Sequence, residues 1–387
     1  MTGVSTGMHG DQRTTALYTH ESTFWHSTGV QSLFFPIGGW VEPPSGTYGA
    51  DTPASKRRIL SLVQLSGLAT DLRFPAVTPA TRDQLETVHT SAYLDSFKRL
   101  SDAGGGDLGA LAPFAKGGYE IAATSAGLAV AAVEDVLSGA CSNAFALCRP
   151  SGHHCTPDMP MGFCLLANTA VAIRAARRDR PRLRVAVVDW DVHFANGTQG
   201  IFYEDPDVLT ISLHQENCRP PGQVGGEIEE RGAGAAIGGN LNIPMPPGSG
   251  HAEYLYAFER LVLPTVRAFR PELIVVASGL DANAVDPLAR QLLHSDSFRC
   301  MTKLMMDLAD ELCDGRLVVV HEGGYSEAYV PFCGLAILEA LSGRRTEVID
   351  PALDIFRSWQ GNARFNAYVR GVIDDYATLL VAPPAAN

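Results

Sequence analysis

The chain has 387 residues, 46% of them apolar and 19% charged, an ordinary composition with ample material for a globular core. Its formal net charge of −12 argues against a nucleic-acid-binding surface and suits a neutral or cationic substrate. Its 8 cysteines form no CxxC pair, which reads as reduced thiols in a cytosolic protein and not as a disulfide framework.

The opening MTGVSTGMHGDQRTT has no charged stretch followed by an apolar one, so no signal peptide is expected. No apolar run is expected to span a bilayer, and a soluble cytoplasmic protein without a membrane partner is the reading. With no linker to separate two cores, one catalytic domain is expected over 16–377, between flexible ends at 1–15 and 378–387. Tyr119–Leu137 is Ala-rich and stops before Ser138-Gly139, predicting a helix. Ala144–Cys148 predicts a buried strand that runs into Arg149-Pro150-Ser151-Gly152-His153-His154. Phe163–Arg178 reads as a helix, and Arg184–Val188 as a second strand ending in Asp189, Asp191 and His193. Val208–Leu213 is a third strand, closed by Ser212 and His214; Glu253–Phe269 is a helix kinked at Pro264. Leu273–Ser278 predicts a fourth strand before Gly279-Leu280-Asp281. After the helix Ser297–Cys313, a fifth strand at Leu317–His321 leads into Glu322-Gly323-Gly324-Tyr325.

These runs of Val, Ile and Leu are continuous, as strands covered on both faces require. Their alternation with helices predicts an α/β fold around a mostly parallel sheet. Every polar cluster follows the C-terminal end of a strand, where open α/β sheets bind ligands. A single site assembled from five strand ends is therefore expected.

In VAVVDWDVHFANGT (185–198), alternate residues of a strand share a face, so Asp189, Asp191 and His193 would project together. Two buried carboxylates call for a positive partner, for which a divalent metal is the obvious candidate. A self-satisfied hydrogen-bond cluster is the plainer alternative. Asp191, His193 and Asp281 form a credible three-ligand set, since catalytic zinc keeps a further position open. Two carboxylates nearly cancel the metal's charge, so its water would need a nearby base, which His153-His154 offers. Asp189 and Asn196 are the natural partners of that pair. A carboxylate keeps imidazole cationic more readily than a carboxamide does. One histidine is thus expected to stabilise charge and the other, on Asn196, to act as general base. Tyr325 follows two glycines that let its ring swing into a cleft as an oxyanion donor. Alone, a His-His pair is as readily accidental and such a tyrosine more often packs. Together, metal, base and donor specify metal-assisted hydrolysis of an amide.

RPSGHH (149–154), MGFC (161–164), VVDWDVHFANGTQ (187–199), SLHQ (212–215), SGLDANAVDPL (278–288) and EGGY (322–325) resemble the histone deacetylase superfamily. That superfamily includes acetylpolyamine amidohydrolases, and the chain looks closest to its bacterial class II-like amidohydrolases, from about His20 to Gly343. The resemblance implies a single α/β domain on an about eight-stranded sheet, a single zinc per subunit, and removal of acetyl or related short acyl groups from the ε-amino group of lysine. By motif, zinc would fall to Asp191, His193 and Asp281, general base and acid to His154, the electrostatic role to His153, and oxyanion donation to Tyr325. It also implies structural potassium at an inner set, Asp189, Asp191, His193, Ser212 and Leu213, and at an outer set near Phe202, Asp205 and Val208. A substrate tunnel would involve Gly162, Phe163, Pro220, Leu288, Gly323 and Gly324. Assembly as a homodimer or homotetramer is implied, and no repeat or heptad decides between them.

The chain departs from the family pattern in three places. The loop Gln215–Pro221 has no aromatic to face Phe163, leaving proline or arginine as the opposite wall. Asn196 stands where class I enzymes carry aspartate, and Phe194-Ala195 where a second His-Gly is usual. Tyr325, by contrast, is the residue of a competent deacetylase.

The main rival is a deacetylase of acetylated polyamines or other small N-acyl-amines, with an acidic rim from Asp107 or Glu229/Glu230. No long insertion precedes Tyr119 to support it. An inactive acyl-lysine binding module would not need the full catalytic set. A binuclear arginase-like site wants DxHxD, whereas Ala195 and Asn196 stand there. An Asp₂His site admits iron(II) as well as zinc. His89 and Tyr93 read as helix-entry packing, and Trp25 and His26 as candidates for the site entrance. His214, His251, His294 and His321 carry no motif-based claim to a metal.

Overall fold

The structure, a computed structural model, describes residues 13–29, 31–32, 35–36 and 50–381. Most of the expected flexible start, residues 1–12, and the end of the expected tail, 382–387, lie outside the described residues. In chain order the strands are β1 (Thr15–Tyr18), β2 (Gln31–Ser32), β3 (Phe35–Pro36), β4 (Leu72–Arg73), β5 (Gly105–Asp107) and β6 (Pro113–Ala115). They continue with β7 (Asn143–Ala146), β8 (Val185–Asp189), β9 (Val208–Gln215), β10 (Asn240–Met245), β11 (Leu273–Ser278) and β12 (Leu317–His321). Eight of them form one sheet in the order β10-β9-β8-β11-β12-β7-β1-β4, and every pairing in it is parallel. The small pairs β2–β3 and β5–β6 are antiparallel.

All five strands expected from apolar runs are present. β1, β4 and β10 were not anticipated, for local reasons: β4 is too short to show a pattern, and β10 (NLNIPM) carries two asparagines and a proline. Proline is tolerated there because β10 is an edge strand. Along β11, Ile274 and Val276 join one core while Leu273 and Val275 join the other. A sheet buried on both faces explains why its strands read as unbroken apolar runs.

The helix Gly118–Ser138 is long and apolar enough, by length and composition, to cross a bilayer, contrary to the sequence expectation. Here it is a core helix, 67% buried over that window and packed on the helix Asn168–Ala176 and on the sheet. The helix expected from Phe163 begins only at Asn168, because Gly162 and Phe163 take positive φ (54° and 66°) in a turn at the site. The Glu253–Phe269 stretch splits into a helix, His251–Ala257, a π turn at Phe258–Val262, and a second helix, Leu263–Phe269. Pro264 has no N–H to continue the ladder, and the wide turn precedes it. At the chain ends, Thr15 already belongs to β1, and the last helix, Ala363–Val381, runs past the expected boundary at 377.

Candidate active site

The five polar clusters meet at the C-terminal edge of the sheet. β8 stops at Asp189 and does not continue through His193 as the alternation suggested. The acids themselves bend the chain there: Asp189 Oδ1 accepts from the Asp191 N–H at 2.8 Å, and Asp191 Oδ1 from the His193 N–H at 2.9 Å. Such side-chain-to-backbone bonds compete with a sheet ladder.

Asp191, His193 and Asp281 bring their ligand atoms within 4.8 Å of one another. His193 Nδ1 lies 3.0 Å from Asp191 Oδ1 and 3.2 Å from Asp281 Oδ2. Both carboxylates are fully buried. Asp191 Oδ2 accepts the Gly323 N–H at 2.8 Å and Asp281 Oδ1 the Val192 N–H at 3.0 Å, but among the described residues Asp281 Oδ2 makes no hydrogen bond beyond its approach to His193 Nδ1. Burial and the Asp191 charge push the Asp281 carboxyl up. Burial acts upward on Asp191 too, but His153 and His193 outweigh it and hold that carboxyl low. A stranded oxygen among two buried acids and an imidazole fits a divalent cation of the zinc class. A side chain at Gly279 or Gly323 would collide with these carboxylates, so both glycines let backbone close on the set.

His153 Nδ1 lies 2.9 Å from Asp189 Oδ2, and His154 Nδ1 lies 2.7 Å from Asn196 Oδ1. Burial disfavours charge on His153, but Asp191 and Asp189 outweigh it and raise its pKa to about 10. Burial and the charge on His153 push His154 well below its ordinary value. With Asn196 Oδ1 accepting from Nδ1, the basic atom of His154 is Nε2. A second group, His153, Cys164 and Glu322, also has ligand-type atoms within 4.8 Å. Its imidazole is committed to Asp189, and burial and Glu322 push the Cys164 thiol up, which suits a neutral thiol and no metal.

Tyr325 is fixed through its backbone N–H, which donates to Asp286 Oδ2 at 2.9 Å, while Asp286 Oδ1 accepts from Leu288. Its ring centroid is 5.9 Å from Phe163 and 6.3 Å from His193. The ammonium of Lys56, buried and 3.2 Å from Asp51 Oδ1, stands 5.5 Å from the centre of that ring. Burial and Asp281 raise the phenol well above its ordinary value, keeping it a protonated donor.

A cavity of about 220 Å³ opens above these groups, lined by His154, His193 and Tyr325 at its floor and by Gly162, Phe163, Leu288 and Pro220 among its walls. Leu111, Asn217, Cys218, Arg219 and Pro221 complete the lining. The wall opposite Phe163 is therefore the Cys218–Pro221 segment, with the Arg219 guanidinium held by Gly225 O and Asn217 Oδ1. Gly323 and Gly324, expected in the tunnel, are not in its lining; Gly323 lies against the two carboxylates beneath it.

Around the inner potassium set, Ser212 Oγ accepts from the Ala195 N–H at 3.3 Å and Leu213 is buried within β9. At the outer set, Phe202 and Val208 are buried and the Asp205 carboxylate is paired with Arg174 at 2.8 Å and Arg177 at 2.6 Å.

The acids expected at a rim are not in the lining: Asp107 accepts from Gly109 and Ala112, and Glu230 from Gln199, Gly226 and Asn242. Trp25 is exposed and His26 buried, and neither lines the cavity. His89 does more than pack: its Nε2 accepts from the Ala167 N–H at 3.0 Å, and Tyr93 donates to Leu165 O at 2.6 Å, bracing the loop behind Phe163. Sequence reading assigned no role to Asp286, Glu322, Lys56 or Cys218. Asp286 and Glu322 lay within quoted motifs, but the backbone groups they bind come from distant or folded-back segments.

The histone deacetylase domain matches residues 50–341. A histone deacetylase-like amidohydrolase of Pseudomonas aeruginosa is 54% identical over 375 residues, covering 96% of this chain and 98% of that protein. Histone deacetylase 8 of Arabidopsis thaliana is 36% identical over 292 residues, 74% of this chain and 76% of the relative. The crystal structure of the HDA15 HD domain superposes with a TM-score of 0.76 at 28% identity, over 96% of this chain and 99% of that one.

Proposed function

The chain belongs to the histone deacetylase family of hydrolases, and on that premise we propose that it removes acetyl or related short acyl groups from the ε-amino group of lysine in proteins or peptides. The observation that carries the reading is one cavity floor holding the Asp191/His193/Asp281 set, the Asn196-bound His154 and Tyr325. When bound by Asp191, His193 and Asp281, zinc would polarise the amide carbonyl and acidify a water.

The protein supplies the rest. His154 Nε2 takes the proton of the attacking water and later delivers it to the leaving nitrogen. His153, cationic against Asp189, favours negative charge growing beside it and keeps His154 neutral enough to act as a base. The Tyr325 hydroxyl donates to the carbonyl oxygen as it gains charge. Phe163, Leu288 and the Cys218–Pro221 wall exclude bulk water from the acyl-amine stem.

Among the described residues the cavity lining contains Arg219 and no carboxylate, which disfavours a substrate carrying a second ammonium group. The test is kcat/KM of the zinc-loaded protein on an acetyl-lysine peptide and on an acetylated diamine, side by side. Preference for the peptide is expected; preference for the diamine would replace lysine deacylation with polyamine deacetylation. The proposal extends to structural potassium at the inner set, read out as a difference in rate when sodium replaces potassium. It also extends to a cytoplasmic location, read out by cell fractionation.

A further inference from the structure

We infer that Glu322 is a positioning residue for this reaction: its buried carboxylate clamps the Gly152–His153 backbone to the end of β12 and so fixes where both histidine rings stand. The inference rests on the hydrolysis proposed above. Glu322 is wholly inaccessible, and its Oε2 accepts from the Gly152 N–H at 2.7 Å and from the His153 N–H at 3.2 Å. Its other oxygen has no hydrogen-bond partner among the described residues. A carboxylate left half satisfied in a dry interior is unfavourable for the fold alone.

The loop it holds is gripped from the other side as well. Pro150 O accepts from Ser125 Oγ at 2.8 Å and from Asn168 Nδ2 at 3.0 Å, and a side chain at Gly152 would strike the Asn168 backbone. The next N–H, that of His154, donates to the Cys164 sulfur at 3.5 Å. Helix-side bonds thus hold the start of the loop; the part that carries the histidines is held by Glu322 at its N–H groups, and by the Thr198 N–H at His153 O (3.1 Å) and Asn196 Nδ2 at His154 O (3.5 Å) on its carbonyl side. The next residue, Gly323, binds Asp191, and Tyr325 stands two further on, so one four-residue segment sets the spacing of the acids, the imidazoles and the phenol.

The test uses the zinc-loaded full chain with Glu322→Gln, Glu322→Asp and Glu322→Ala, reading kcat and KM separately, bound zinc, Tm and the ring N–H proton resonances of the histidines. Glutamine keeps an acceptor oxygen at the same reach and is expected to stay within about 5-fold of the parent kcat. Aspartate keeps the carboxyl group but withdraws the oxygen by one methylene, and alanine removes it; kcat is expected to fall about 10-fold and about 10²-fold, with KM and zinc content little changed and the ring resonances shifted. Glu339→Ala removes another buried carboxylate, one paired with Arg299 and Arg345, and should lower Tm while leaving kcat per folded molecule intact. If alanine does not fold, the ordering of glutamine above aspartate decides. Aspartate at or above glutamine, or an alanine kcat within about 3-fold of the parent, overturns the clamp. A parent protein inert on every acyl-amine overturns the hydrolysis reading and this inference with it, whereas active parent and indifferent variants overturn the clamp alone.

Discussion

At the scale of single residues, the site separates two histidines of identical chemistry by what stands behind each. Asp191 and Asp189 favour the charged form of His153, whereas His154 has the neutral amide of Asn196 behind it, which suits the base role proposed for it. On the proposed mechanism the phenol of Tyr325 is an oxyanion donor and not a metal ligand, so its loss should touch only the rate. Tyr325→Phe is expected to lower kcat about 10²–10³-fold, the usual effect of deleting one oxyanion donor, with zinc content unchanged. Loss of zinc together with activity would instead make Tyr325 a structural support of the metal set.

At the scale of elements, the strand ends place the groups and the neighbouring loops hold them in register. His89, at the start of the helix Ser91–Ala103, is buried and accepts from the Ala167 N–H behind the Phe163 turn. Burial lowers its pKa to about 4, against about 6.5 in an unfolded chain. The unfolded state therefore takes up the proton first as pH falls. The stability that His89 contributes is fully present above about pH 6.5 and is lost as pH falls through about 4. The loss between pH 7 and pH 5 is about 2 kcal/mol by linkage. Urea unfolding of the parent and of His89→Asn across that window measures it. The parent is expected to show the steeper decline, and parallel slopes would remove His89 from the acid response.

At the scale of the whole molecule, the two cores on either face of the sheet are built from apolar side chains. Chelation is therefore expected to leave far-UV dichroism intact and to lower Tm by a few degrees, the mass-action share of a ligand bound only by the folded state. Collapse of the secondary structure on chelation would show that the site carries the domain. The sequence by itself determined the α/β class, the five central strands and the chemistry at their ends, because doubly covered strands must be apolar and any polar residue there stands out. It also put Asp191, His193 and Asp281 forward as a candidate ligand set, since few environments tolerate two buried acids, and the structure brings their ligand atoms within 4.8 Å of one another. Only the tertiary structure placed β1, β4 and β10, whose short or polar stretches become strands through their neighbours. It alone set Gly323 against the carboxylates and bound Glu322 to the N–H groups of Gly152 and His153. Those contacts join segments up to 170 positions apart; a backbone N–H has no residue type, so nothing in the order of side chains announces which carboxylate it will meet.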